Sequence, residues 1–267
     1  TALLAQIEEY EAILASDERV LQIVRDDSVE MKNKYANPRR TEVQEGEVGE
    51  LDMAALTPVE QVAVTITHQG YVKRLPVDQY RTQGRGGKGV IGADFRDGDF
   101  TEQVFVASTH DDLLCFTDTG RVFKIKVFEI PEGGRTTRGR HIVNMIQLQE
   151  GERVCEYMPI SDFEARELYL CFATAHGLVK RTALKDYRNV TKAGIIAVNL
   201  RDGDRMVNVC WTTGEDHLLV GTRSGMSIRF DENDARVMGR NASGVKGIAL
   251  GKGDEVVGMV PCSPDDE

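Results

Sequence analysis

The sequence predicts a mainly β fold, a propeller-like ring of about four visible four-stranded blades preceded by two α-helices. A glycine-turn module occurs four times, strand-length apolar runs alternate with turn residues from position 61, and only the first 36 residues carry helical spacing. The module opens on Gly70, Gly120, Gly177 and Gly225 and closes on Gly89, Gly139, Gly194 and Gly244, separations of 19, 19, 17 and 19 residues. The copies recur every 48 to 57 residues, a period that signals a propeller, solenoid or array.

Residues 1–36 read as two helices. Leu3, Ile7, Tyr10 and Leu14 stand at 4-3-4 spacing, a narrow apolar seam that expects a partner. Ser16 and Asp17 are placed to cap the start of the second helix, and Asn37-Pro38 ends it, since the residue before proline is pushed out of helical geometry. Residues 37–60 are polar, charged and closed by Pro58, and read as a linker. The strands occupy 61–260, and 261–267 form an acidic end. Within each repeat an apolar strand such as Gln61–Thr67 or Leu113–Phe116 leads into a hairpin whose glycine supplies positive φ, and a strand ending in basic residues leaves it. After the second glycine comes another apolar strand. A second turn follows, as in Arg201-Asp202-Gly203-Asp204, and a last strand such as Val207–Trp211 closes the unit. A lone sheet of that size buries too little surface, so the units are expected to pack face to face around an axis. The single tryptophan, Trp211, excludes a W-D signature, and paired glycines in only two repeats are poor support for kelch.

No apolar run approaches the length of a membrane span, and the opening residues lack the pattern of a signal peptide. Thr1 enters a helical pattern directly, which suggests a piece of a longer protein. The five cysteines form no C-x-x-C pair, and Cys115 and Cys171 fall at equivalent strand positions. They read as buried residues in a reducing, cytoplasmic setting.

The net charge of −10 conceals segregation. Residues 1–60 carry 14 acids and 6 bases, whereas the four turn-to-glycine windows (70–89, 120–140, 177–194, 225–246) together hold 20 bases and 7 acids. A shared edge would therefore be a positive track, and local field governs phosphate binding. Its residues are Lys73, Arg74, Arg121, Lys124, Lys126, Arg135, Arg138, Arg140, Lys180, Arg181, Lys185, Arg188, Arg236, Arg240 and Lys246. The alternative is a solvated strand face; recurrence with one sign favours the track. Aromatics do not interleave densely with these charges, so duplex backbone contacts fit better than single-strand stacking.

The run Gln83-Gly84-Arg85-Gly86-Gly87-Lys88-Gly89 matches the dinucleotide fingerprint G-x-G-x-x-G by letter, but it leads into a strand rather than a helix. A P-loop is excluded because Gly89, not Ser or Thr, follows Lys88. Its close glycines expose backbone N–H groups and Arg85 and Lys88 add charge, so it reads either as a phosphate-binding loop or as an exposed basic loop. None of the five histidines lies in a metal-binding spacing, and no catalytic constellation is present.

Gln83–Gly89 resembles the A-box of the gyrase A C-terminal domain family, pattern Q-R-R-G-G-K-G, with Gly84 in place of the first arginine. His68-Gln69-Gly70-Tyr71-Val72-Lys73, Arg138-Gly139-Arg140 with Ile142-Val143-Asn144, Gly244-Val245-Lys246-Gly247-Ile248 and Arg39-Arg40-Thr41-Glu42-Val43 are similar to other segments of that family. The resemblance implies a β-pinwheel that wraps duplex DNA around its rim, in support of ATP-driven negative supercoiling by a type IIA topoisomerase. The partners it implies are a gyrase B subunit, together with a second A subunit (A2B2), and the location is cytoplasmic, on the chromosome. No cofactor is expected in this piece, ATP and magnesium acting on other parts of the assembly. The two helices would end a coiled-coil arm. The family usually has six blades where four repeats are seen, and the absence of an Arg-Tyr pair marks a piece without the catalytic tyrosine, non-catalytic alone. The alternatives are the C-terminal domain of the topoisomerase IV A-type subunit, or a protein-interaction propeller.

Overall fold

The computed structural model describes residues 2–37, 53–79, 98–134, 136–164 and 167–266. The A-box, residues 83–89, and Arg135 lie outside them. Two compact units divide the chain, Thr1–Leu51 and Asp52–Glu267.

The first unit contains helix α1 (Ala2–Leu14) and helix α2 (Asp17–Tyr35). Ser16 is extended, and its hydroxyl accepts from Arg19 N–H, the cap expected from the sequence. Asp17 and Glu18 in the first turn and Lys32 and Lys34 in the last complement the helix dipole. The seam residues Leu3, Ile7, Tyr10 and Leu14 are all exposed.

The second unit opens on a short helix, α3 (Met53–Leu56), inside the stretch expected to be linker. The chain after it is pinned, because Pro58 O accepts from Thr109 Oγ1 at 2.7 Å. Repeat 1 then supplies β1 (Gln61–Thr67), β2 (Tyr71–Pro76) and β3 (Thr101–Ser108). Repeat 2 supplies β4 (Asp112–Thr117), β5 (Arg121–Lys126), β6 (Arg140–His141) and β7 (Val154–Ile160). Repeat 3 supplies β8 (Tyr169–Thr174), β9 (Leu178–Ala183), β10 (Ile195–Ile196) and β11 (Met206–Thr212). Repeat 4 supplies β12 (His217–Thr222), β13 (Ser227–Asp231), β14 (Val245–Lys246) and β15 (Val256–Cys262).

The sheets run β3-β1-β2-β6, β7-β4-β5-β10, β11-β8-β9-β14 and β15-β12-β13, with every paired neighbour antiparallel. The sequence placed the strand after the second glycine in its own unit. The structure gives it to the preceding one: β6, β10 and β14 each cross to close the blade before. The glycines explain why. A Cβ on Gly139 would stand 2.3 Å from Val72 O, and one on Gly244 would stand 2.6 Å from Val179 O. Only a glycine, at φ of +86° and +96°, lets the incoming chain lie that close to its neighbour's backbone. No described strand covers β13, and nothing lies within 4 Å of a Cβ built on Gly225.

Each hairpin turn is held alike. Thr67, Thr117, Thr174 and Thr222 each accept, at 3.2 Å, the N–H of the residue after the turn glycine. Asp99, Asp204 and Asp254 in the second turns take the N–H groups of Gln69, His176 and Ser224, each at 3.0 Å, so the two turns of a blade are tied. In blade 2 the tie is reversed, and Asp118 in the first turn accepts from Arg153 N–H at 3.0 Å.

Three apolar clusters fill the gaps between successive blades. Leu113 and Cys115 face one gap while Leu114 and Phe116 face the next, so the middle strand of blade 2 is buried on both sides. A strand in that position reads as a continuous apolar run rather than an alternating one. Cys115 and Cys171 are fully buried, as expected for strand residues, and burial pushes the Cys171 thiol up to about 12. Among the described residues no helix is long and apolar enough to cross a membrane, and no group of side chains is arranged to hold a metal ion.

Candidate nucleic-acid interface

The basic windows divide into two parts with different jobs. The first part is the strand leaving each turn. Its cations engage neighbouring backbone or carboxylates, and three of them are buried. Lys73 and Lys180 are 2% and 1% exposed. Lys73 Nζ donates to Gly134 O (3.3 Å) and Thr137 O (2.9 Å), and Lys180 Nζ to Arg240 O (2.5 Å) and Ala197 O (2.6 Å). Arg181 is buried, donating to Asn233 Oδ1 at 2.8 Å with Glu232 at 3.5 Å. Arg74 donates to Ile130 O at 2.7 Å, Lys124 to Arg188 O at 2.5 Å, and Lys126 pairs with Asp112 at 2.9 Å. Arg121 meets Glu152 at 2.8 Å and lies over the Phe123 ring. Burial alone would raise the Glu152 carboxyl, but hydrogen bonds from Gln149, Thr119 and Thr117 and the Arg121 charge hold it below the usual range.

The expectation that Lys73, Lys180 and Arg181 lie on the rim is therefore corrected. A lysine or arginine in a central strand can be buried when backbone carbonyls or a carboxylate satisfy it, and here the next repeat supplies every acceptor but Ala197 O. These residues fasten blade to blade. The burial shift follows: Lys180 is pushed down to about 7, by desolvation first and then by Arg240, with Asp186 opposing.

The second part is the hook, which runs from the end of that strand past the second glycine into the short strand that follows it. Arg140, Lys185, Arg188, Arg236 and Lys246 are exposed, and Arg138 and Arg240 are half-buried. The Arg138 guanidinium stacks 3.6 Å from the Tyr71 ring centre and donates to Gln69 Oε1 at 3.0 Å, which fixes its direction. Lys185, Asp186, Arg188, Asn189 and Arg240 line one open depression of about 460 Å³, so cations from the hooks of repeats 3 and 4 converge. Lys192, exposed on the hook of repeat 3 and paired with Glu129, is a further cation of this kind. Its place in the 177–194 window was the signal for it. Such an edge gathers exposed and half-buried cations, of which Arg138 is held by Tyr71 and Gln69 and Arg188 by Glu164 at 2.8 Å, an arrangement suited to a polyanion contacted at several phosphates.

Comparison with known proteins agrees with this architecture. The family described as "DNA gyrase C-terminal domain, beta-propeller" matches residues 61–108, 111–154, 168–209 and 216–263, one match per repeat. The A subunit of DNA gyrase from Staphylococcus epidermidis (strain ATCC 12228 / FDA PCI 1200) is 44% identical over 257 residues, covering 96% of this chain and 29% of that protein. Its counterpart from Staphylococcus aureus (strain MRSA252) matches at the same identity and coverage. The chain thus spans 29% of the length of these curated relatives. Among solved structures, the C-terminal domain of DNA topoisomerase IV is similar at TM-score 0.68 and 33% identity, over 78% of this chain and 63% of that one. The DNA gyrase A C-terminal domain is similar at TM-score 0.58 and 28% identity, over 76% and 65%.

Proposed function

The chain belongs to the DNA gyrase C-terminal domain family of β-propellers, and we propose that it binds and bends duplex DNA along the edge formed by its hooks. The observation that carries this reading is the division of the basic windows. The strand cations are engaged by backbone carbonyls and carboxylates, with Lys73, Lys180 and Arg181 buried, while Arg138, Arg140, Lys185, Arg188, Arg236, Arg240 and Lys246 stand on the hooks. Contacts of this kind go to phosphates and carry little sequence information. The A-box, Gln83–Gly89, joins this edge in the proposal on the strength of its sequence. In a gyrase assembly with B subunits plus a second A subunit, on the chromosome in the cytoplasm, the bent duplex serves strand passage and supercoiling. ATP and magnesium act on other parts of that assembly, and this chain contributes no catalytic group.

A salt titration of duplex binding tests the reading. The plot of log affinity against log salt should fall with a slope of about −0.9 per phosphate contact. Replacing Arg188 and Arg240 with glutamine should flatten that slope by about one for each phosphate no longer neutralised, across unrelated sequences. A slope near zero for the unaltered chain would count decisively against a phosphate-binding edge and in favour of a protein-interaction propeller.

A further inference from the structure

The residue three places after each turn glycine is Lys73, Phe123, Lys180 and Ile228 in the successive repeats. In the three blades that receive a hook, this position lies under it. Lys73 binds the hook of repeat 2 at Gly134 O and Thr137 O, on either side of position 135, and Lys180 binds the hook of repeat 4 at Arg240 O. Phe123 instead meets Gly194 in the hook of repeat 3, where a Cβ would come within 2.5 Å of its ring. The hooks sort the same way. Those that pass through Gly139 and Gly244 place that glycine 19 residues after their turn glycine and rest on lysine; the one that passes through Gly194 places it 17 after and rests on phenylalanine. The longer hooks present backbone carbonyls to the blade beneath, two to Lys73 and one to Lys180, whose second acceptor is Ala197 O of its own repeat. A phenyl ring has no donor for them.

We infer that Lys73 and Lys180 are positioning residues for DNA contact, each fixing the backbone of a long hook so that its arginines face the duplex. On the repeat 2 hook these are Arg138 and Arg140; on the repeat 4 hook it is Arg240, whose own carbonyl is the one Lys180 holds. The inference rests on the proposed DNA-binding edge. It gives two residues removed from the rim by their burial a role in DNA recognition exerted through other side chains. It also makes position 73 and its equivalents the place where a blade selects the long or the short form of hook.

The test uses the full chain with Lys73→Met and Lys180→Met, which keep an unbranched stem and remove the donors. Bending is read by energy transfer between the ends of a duplex on the order of 150 base pairs, one persistence length. Binding is read separately on a short duplex at low salt, and folding by thermal melting. Both variants are expected to fold, to bind the short duplex close to the unaltered affinity, and to lower the equilibrium constant for bending about tenfold. Because Lys180 acts through Arg240, Lys180→Met should add little further effect in a chain already carrying Arg240→Ala; additive effects would overturn the inference. So would unaltered bending in both methionine variants, or failure of both to fold, since the lysines would then only support the fold. If the unaltered chain itself does not bend the duplex, the DNA-binding proposal fails rather than this refinement of it.

Discussion

Two glycines of one repeat serve different purposes, and their substitution should show it. Gly244 lies against Val179 O of the preceding blade, whereas Gly225 has open space where its Cβ would be. Both have positive φ. Gly225→Ala is therefore expected to cost only the left-handed strain, about 1–2 kcal/mol. Gly244→Ala adds a backbone collision and should exceed about 2 kcal/mol in denaturant melts. Lys180 supplies a pH test. Its folded value of about 7 lies below that of an unfolded lysine near ~10.4, so the unfolded chain holds the proton longer. The penalty of burying the ammonium is then full below pH ~7 and fades between ~7 and ~10. Relative to Lys180→Met, the unaltered chain should gain stability across that window at no more than about 1.4 kcal/mol per pH unit, and the difference should be flat at lower pH. Arg240, Asp186 and the Tyr187 hydroxyl surround this amine and are common to both proteins. The turn glycines were legible in the sequence because positive φ leaves few other choices. The burial of Lys73 and Lys180 was not, since the acceptors are backbone carbonyls, all but Ala197 O brought from another repeat. The turns carry a further signature in the sequence. A threonine stands three places before the turn glycine in every repeat, at Thr67, Thr117, Thr174 and Thr222, and each closes its turn.

Strand exchange is what joins the elements into a continuous body. Each complete blade contains three strands of its own repeat and one from the next, so neighbouring blades share backbone hydrogen bonds as well as an apolar face. Among the described residues blade 4 has three strands, and β13 has one open edge. Its amides that point away from β12 should exchange with solvent much faster than those of β5 and β9, which are paired on both sides. Equal protection in all three strands would contradict the open edge. Strand positions were readable because β1 falls on the expected Gln61–Thr67, and the others agree to within a few residues. The owner of the short third strand was not readable. β6, β10 and β14 are two residues long, and nothing in a two-residue pattern says which sheet it joins. The close approach of Gly139 and Gly244 to the previous blade decides it.

The whole chain is acidic, yet the repeat windows are basic, and the structure shows how both hold at once. Part of the positive charge is spent internally on carbonyls and carboxylates, and the rest is carried outward on the hooks. Net charge thus hides the local field, which the cations on the hooks set. In the proposed function, a row of such hooks on successive blades would turn a sequence-independent contact into a path. Bending a duplex along it costs on the order of 1–6 kcal/mol, which several phosphate contacts can offset and a single one cannot. End-to-end energy transfer on labelled duplexes of increasing length tests this most directly. A wrapping edge predicts none on duplexes too short to reach a second hook, then a rise in transfer past a threshold length, abolished in Arg188→Gln with Arg240→Gln. Tight binding with no change in end-to-end distance at any length would contradict it.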